Sequence, residues 1–164
     1  MIEIVSSEWL EVFSFQFSAF SSRRSHLREQ VGSGSIALMA DASYDPRYLD
    51  GIELFNKCEF FEAHEVWEDL WKDIQGPDRR FYQGLIQVAV CLHHFGNGNI
   101  RGAKKLYFSS RGYLEAYGSK HLGLDIEKLL RQLQACCQAI LDSKEEFPRI
   151  EIVPDLIPEI HLEE

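Results

Sequence analysis

Between residues 45 and 143, apolar side chains recur at intervals of three and four residues in five blocks, and short breaks rich in Gly, Pro or Asn separate most of them. This spacing puts the apolar residues on one side of an α-helix, so each block predicts a helix that buries one face. Helices joined by short turns pack as antiparallel neighbours. The sequence therefore predicts an all-α fold, a compact bundle of about five helices packed as antiparallel, tetratricopeptide-like hairpins, although the 34-residue repeat of that class is absent.

The predicted helices have recognisable ends. Asp45 and Pro46 suit the start of the first helix, because the acid can accept hydrogen bonds from free N–H groups and proline lacks that donor. Gly76 and Pro77 end the second helix, and the GNGN sequence at 96–99 separates the third from the fourth. The second to fifth helices are expected at about 60–74, 78–95, 100–117 and 125–143.

The segments on either side of the helical region have a different character. Residues 1–40 combine an apolar stretch, suited to an edge strand or to an amphipathic helix, with a Gly/Ser-rich linker. Met39 stands just before the patterned region and could be the true start, which would make residues 1–38 an upstream extension. The prolines of residues 144–164 predict an extended tail. We therefore expect an N-terminal extension, a helical domain at 45–143 and a tail.

Composition excludes several classes of function. The 164 residues are 45% hydrophobic, which is enough for one core, and the formal net charge of -9 argues against general affinity for nucleic acid or an anionic membrane. The apolar stretch near the N-terminus is too short to cross a bilayer. A cytoplasmic protein with a small-molecule or protein partner, and with homo-oligomers possible, is expected. The cysteines form no C-x-x-C pair and are predicted to be reduced and mostly packing residues: Cys58, Cys91, Cys136 and Cys137.

The sequence FFEAHEVWEDLW, residues 60–71, carries the first candidate site. His64 and Glu68 lie one helical turn apart on the border between an apolar and an acidic side, and His93 of the next helix can meet them if the two helices are antiparallel neighbours. Histidine and carboxylate at this spacing suit Zn, Mn or Fe. One hypothesis is therefore a divalent metal held by His64, Glu68 and His93, with Glu65 as a general base in hydrolysis.

A second hypothesis needs no metal. The acids of this helix form an ordinary solvated face, and His64 is a border histidine that hydrogen-bonds Glu68. The match to the zincin motif H-E-x-x-H is poor, because Glu68 replaces the second histidine. In this case the polar cluster is a structural network, and the chain is a non-catalytic protein-interaction module.

The third predicted helix is apolar on most of its circumference, which indicates a central position in the bundle. Its one polar stripe contains no Asp, Glu or Lys. A stripe that faces only water usually carries Lys and Glu, so amides and histidine indicate a partly covered, hydrogen-bonding surface. An exposed face that happens to use glutamine is the alternative. Together with Glu62, the members of the stripe complete the candidate polar cluster: Arg80, Gln83, Gln87 and His94.

Three blocks, ELFNKCEFFEAHEVWEDLW, RRFYQGLIQVAVCLHH and GNIRGAKKL, resemble the domain-of-unknown-function family 309 of small all-helical proteins, over about residues 46–117. The family's function is not established, and one classification labels it a predicted metal-dependent hydrolase. The resemblance favours His93 over His94, and it departs at Cys58, where the family usually has glycine. It implies that the shared polar residues are Glu62, His64, Glu65, Glu68, Gln83 and His93, with Trp71 and Gly84 as structural companions.

Overall fold

The computed structural model of the chain describes residues 44–163, and five α-helices make up most of that part. Each helix packs against the next one in sequence, so the described bundle is a series of helical hairpins. The predicted all-α bundle is confirmed, whereas its likeness to tetratricopeptide hairpins stays a prediction. The expectations for residues 1–40 and for Met39 lie outside the described residues. The helices are α1 (Pro46–Asn56), α2 (Phe60–Asp73), α3 (Arg79–Gly96), α4 (Ile100–Leu114) and α5 (Ile126–Asp142).

Side-chain caps account for the start of three helices. Asp45 Oδ1 accepts a hydrogen bond from the Arg47 backbone N–H at 2.9 Å, as the Asp-Pro sequence predicted. Asn99 accepts from Gly102 at the start of α4 in the same way. Asp125 caps α5 through Lys128 N at 2.8 Å. These bonds satisfy N–H groups that have no partner inside the helix.

The segment after α4 departs from the sequence prediction of a helix to residue 117. α4 ends at Leu114 and a single 3₁₀ turn follows, after which β1 (Lys120–His121) pairs with β2 (Leu124–Asp125) in a small antiparallel hairpin. Leu122 and Gly123 form the turn, with φ of 45° and 74°. Positive φ at both central residues is the geometry that two-residue hairpins favour. Leucine rarely adopts it, so the sequence did not indicate the turn.

The third helix lies at the centre of the described bundle, as its apolar circumference predicted. Every residue from 81 to 92 is buried, and α2 and α4 pack on different sides of α3. Gly84 permits close packing of α4, because a Cβ there would lie 2.7 Å from Leu114 Cγ. None of the helices within residues 44–163 combines the length and the apolarity that a bilayer crossing needs.

The C-terminal tail packs back on the helices. Asn56 holds Ile160 with two hydrogen bonds of 2.8 Å, one donated by the Ile160 N–H and one accepted by its carbonyl. Ile160 is buried, and Leu162 forms an isolated bridge with Leu124 of the hairpin. The tail is otherwise irregular, with one 3₁₀ turn at Pro154–Leu156. A single amide side chain therefore ties the end of the chain to α1.

Gly51 sets the separation of α1 and α2. A Cβ at this position would overlap the indole of Trp67, which is fully buried and donates from Nε1 to the Tyr48 carbonyl at 3.2 Å.

We expect Gly51→Ala to lower the free energy of unfolding by about 1–3 kcal/mol, because the indole must leave its hydrogen bond. Gly112→Ala is the matched control, since its site in α4 is exposed and open, and it should stabilise by about 0.5–1 kcal/mol. Urea unfolding measures both, and equal effects would contradict this account.

Cys58 ends α1 with a left-handed backbone, φ 60°. Its N–H donates to the Phe55 carbonyl and the Glu59 N–H donates to the Leu54 carbonyl, which is the Schellman arrangement. Glycine adopts this conformation without the cost that a Cβ brings. We expect Cys58→Gly to raise the free energy of unfolding by about 0.5–1 kcal/mol. In chemical denaturation, Cys58→Ala should match the parent because it keeps the Cβ, and a gain from alanine instead of glycine would refute the backbone explanation.

Candidate functional site

The start of α2 lies beside the end of α3, and one aromatic ring joins the two helices. The ring of Phe61 contacts the imidazole of His64, with centroids 4.7 Å apart, and the imidazole of His93 at 5.4 Å. Both histidines therefore flank the same phenyl ring. We call Phe61, Glu62, His64 and His93 the histidine cluster.

His64 is buried, with 1% of its surface exposed. Burial lowers the pKa of its imidazole, because removal from water penalises the charged form. A hydrogen bond to the backbone of Phe61 and the negative charges of Glu65 and Glu68 raise this pKa in part, and the nearby His93 lowers it further. The net lowering keeps the ring neutral at pH 7.

His93 lies half-buried at the other end of the cluster. Burial lowers the pKa of its imidazole as well, and the carboxylate of Glu62 partly opposes that effect. Its Nε2 lies 3.0 Å from the amide Nδ2 of Asn97, in the turn that follows α3. A neutral ring that accepts this hydrogen bond carries its proton on Nδ1. His93 thus joins α2, through Glu62 and Phe61, to the turn between α3 and α4.

Glu68 points along the helix surface toward a lysine. Its carboxylate lies 3.6 Å from Lys72 Nζ, and the same ammonium lies 3.4 Å from Asp69 Oδ1. About a quarter of the Glu68 side chain is exposed, at 28%, and an ion pair of this kind contributes little to stability. Glu65, one residue from His64, is half-buried and acts on that imidazole through its charge.

The predicted metal ligands are not assembled into a centre in the described part of the chain. Within residues 44–163 there is no group of three or more His, Cys, Asp or Glu side chains that could hold a metal ion. His64 and His93 are electrostatic neighbours, whereas Glu68 is engaged with Lys72. Metal binding by this trio, and the role of Glu65 as a general base, stay predictions.

The polar stripe of α3 is covered along most of its length. Gln83, Gln87 and His94 are buried, and only Arg80 is exposed. His94 Nδ1 lies 3.3 Å from Asn99 Nδ2, and burial, together with the nearby His93, lowers its pKa. The amide of Gln87 is fully buried and has no hydrogen-bond partner among the described residues. An unpaired buried amide costs about 1–3 kcal/mol, so packing alone does not explain a glutamine here.

Sequence reasoning did not single out Phe61 or the two asparagines that meet the histidines. An aromatic residue in the first turn of an amphipathic helix reads as ordinary core. The available signal was its position three residues before His64, which places both side chains on neighbouring parts of the helix surface. Asn97 read as a loop residue and Asn99 as the cap of the fourth helix, which the structure confirms, but nothing local shows that either side chain contacts an imidazole.

The buried histidines make stability depend on pH. Their folded pKa lies below the ordinary value near 6.5, so the stabilising contribution is complete above pH 6.5 and is lost as the pH falls toward the lowered pKa. We expect the free energy of unfolding to decrease between about pH 7.5 and pH 5.5, and His64→Gln to flatten this decrease. Urea titrations at each pH measure it. An exposed control, His161→Gln, should keep the parent slope, and an unchanged slope in His64→Gln would contradict the buried neutral state.

Comparison with known proteins shows a family to which the helical region of this chain is similar. Residues 48–106 match the family described as Domain of unknown function (DUF309). The uncharacterized protein YpuF of Bacillus subtilis strain 168 is 36% identical over 101 residues, which cover 59% of this chain and 58% of YpuF. An uncharacterized protein of Aquifex aeolicus strain VF5 is 30% identical over 81 residues, 48% of this chain and 22% of that protein. The chain thus spans less than two thirds of either relative, and its residues 48–106 are similar to the family DUF309.

Proposed function

We propose that the helical bundle is a non-catalytic binding module in which the histidine cluster fixes the register of α2 against α3. The observation that carries this proposal is the contact of one Phe61 ring with both imidazoles, with centroids 4.7 Å from His64 and 5.4 Å from His93. Packed rings of this kind hold two helices in one alignment, since aromatic contacts favour particular edge and tilted geometries.

A buried neutral histidine such as His64 can fix the register of α2 against α3. A shift of α2 by one residue turns each side chain by about 100°, which would bring the carboxylate of Glu65 toward the site that His64 fills. A buried carboxylate without a positive partner costs several kcal/mol, on the order of the whole stability of a small domain. The polar cluster therefore opposes alternative alignments that an entirely apolar seam would tolerate.

Two cavities of the described part of the chain lie away from the histidine cluster. One, of about 330 Å³, lies between the end of α3 and the tail at Ile150 and Ile152. Another, of about 210 Å³, lies between α4 and α5 at Arg111 and Leu130. Candidate catalytic residues line neither of them. Substrates bind in concave sites near their catalytic groups, and neither of these two cavities is lined by His64 or Glu65.

A metal-dependent hydrolase is the second candidate. The observation that favours it is the lowered pKa of His64, because a histidine must be neutral to ligate a metal. In this alternative His64, Glu68 and His93 hold one Zn, Mn or Fe ion, which would supply Lewis-acid activation of a water molecule. Glu65 would accept a proton, and Glu68 would have to leave Lys72.

A cytoplasmic location is part of the proposal. The described cysteines are free thiols, and three of them are buried: Cys91, Cys136 and Cys137. A hydrogen bond with Cys137, together with burial, raises the pKa of the Cys136 thiol. The same contact lowers the pKa of Cys137, but a hydrogen bond with Cys91 and burial outweigh it, so both thiols stay protonated. Free thiols suit a reducing compartment, where a protein partner and homo-oligomers are also to be sought.

The two candidates differ in metal content. Protein purified without a His-tag should contain no stoichiometric metal by elemental analysis, and a chelator should leave its thermal midpoint unchanged. His64→Ala should lower the free energy of unfolding by about 2–4 kcal/mol, because it empties a buried site beside Phe61.

The exposed His161 provides the matched control, since His161→Ala should alter neither stability nor metal content. The binding-module proposal would be overturned, and the metal-dependent hydrolase supported, by three results together: one metal ion per chain, a thermal midpoint that falls when a chelator is added, and loss of the metal in His64→Ala.

A further inference from the structure

The charges of the described helices are strongly asymmetric. α4 carries four cations and no acid, although the whole chain has a formal charge of -9. α2 carries five acids and one lysine, and both helices pack on α3. The bundle thus presents a cationic helix on one side of α3 and an acidic helix on another. The cations of α4 are Arg101, Lys104, Lys105 and Arg111.

One of these cations is placed unfavourably for the helix itself. Arg101 lies in the first turn of α4, where the positive end of the helix dipole repels positive charge, whereas Lys104 and Lys105 lie in the second turn, where this effect has faded. Lys104 donates to the Ser143 carbonyl at 2.9 Å, which explains its presence, whereas Arg101 and Lys105 are exposed. A locally unfavourable choice of residue is characteristic of functional surfaces.

An exposed aromatic side chain continues the cationic surface. Phe108 is 65% exposed, and an edge contact with Tyr107, with centroids 5.1 Å apart, orients its ring. One turn further, a Cβ at Gly112 would meet no atom within 4 Å. Arg101, Lys105, Phe108 and Gly112 follow one another at intervals of four, three and four residues, so they form a single stripe about 16 Å long. We call these four residues the α4 stripe.

We propose that the α4 stripe binds an acidic amphipathic helix of another protein, an inference that rests on the binding-module function and names its partner class. The length of the stripe matches about three helical turns. An aliphatic side chain of the partner fits beside Phe108 over the bare backbone of Gly112, and carboxylates lie opposite Arg101 and Lys105. Two exposed cations neutralise too few phosphates for useful affinity toward nucleic acid.

The test uses two fluorescent amphipathic peptides of about 16 residues, long enough for marginal helix formation, with a leucine stripe flanked by glutamates or by lysines. By fluorescence anisotropy, the full chain should bind the glutamate peptide and not the lysine peptide, more weakly at about 300 mM than at about 50 mM salt. Lys105→Glu and Phe108→Ser should each weaken binding about fivefold to tenfold. Lys128→Glu, the same charge change on an exposed residue of α5, should stay within about twofold.

Several outcomes would overturn the proposal: no binding of either peptide, equal binding of both, an equal loss in Lys128→Glu, or preference for a DNA duplex or for anionic phospholipid vesicles. Circular dichroism should show that the variants fold, since each replaced side chain is exposed. The result is separable from the binding-module function, because metal content and the effect of His64→Ala do not depend on α4. If the protein contains no metal and binds neither peptide, the proposal for the α4 stripe is wrong and the binding-module function stands.

Discussion

The contact between Trp67 and Gly51 is the interaction on which the described architecture depends. The indole occupies the space that a side chain at Gly51 would take, and its N–H bonds the Tyr48 carbonyl. α1 and α2 are therefore locked at short distance and in one rotation. With that rotation set, the neighbouring side of α2 presents Phe61 and His64 toward α3. The geometry of the histidine cluster follows from apolar packing one helix away.

Polar groups buried along α3 give the seam its specificity. Neutral His64 and His93 hold a shared aromatic ring, and His94 contacts the Asn99 that also caps α4. One buried amide, that of Gln87, lacks a partner among residues 44–163, which makes this seam more costly than a hydrophobic one. Such a cost is consistent with selection for one alignment of the helices or for a bound group, and less so with selection for stability alone.

The distribution of charge separates the two candidate surfaces. Acids are concentrated on α2, beside the histidine cluster, and cations on α4, beside Phe108, while the buried α3 lies between these helices. The net charge of -9 opposes nonspecific association with other anionic molecules. A local cationic stripe then selects partners by the shape and spacing of their carboxylates, because unspecific attraction is weak.

The sequence alone determined the helices, the breaks between them and the cap at Asp45, since helical periodicity and capping are local properties. It also pointed to a central third helix and to His64 with His93 as candidates, while the resemblance to the family marked Cys58 as an unusual turn residue. Only the tertiary structure revealed the hairpin turn at Leu122, the hydrogen bonds between Asn56 and Ile160, and the contact of the Phe61 ring with two imidazoles. The Asn56 and Phe61 contacts join segments that are far apart in the chain. The hairpin turn has a locally unfavourable conformation that distant contacts offset. Neither kind of feature leaves a periodic signal in the sequence.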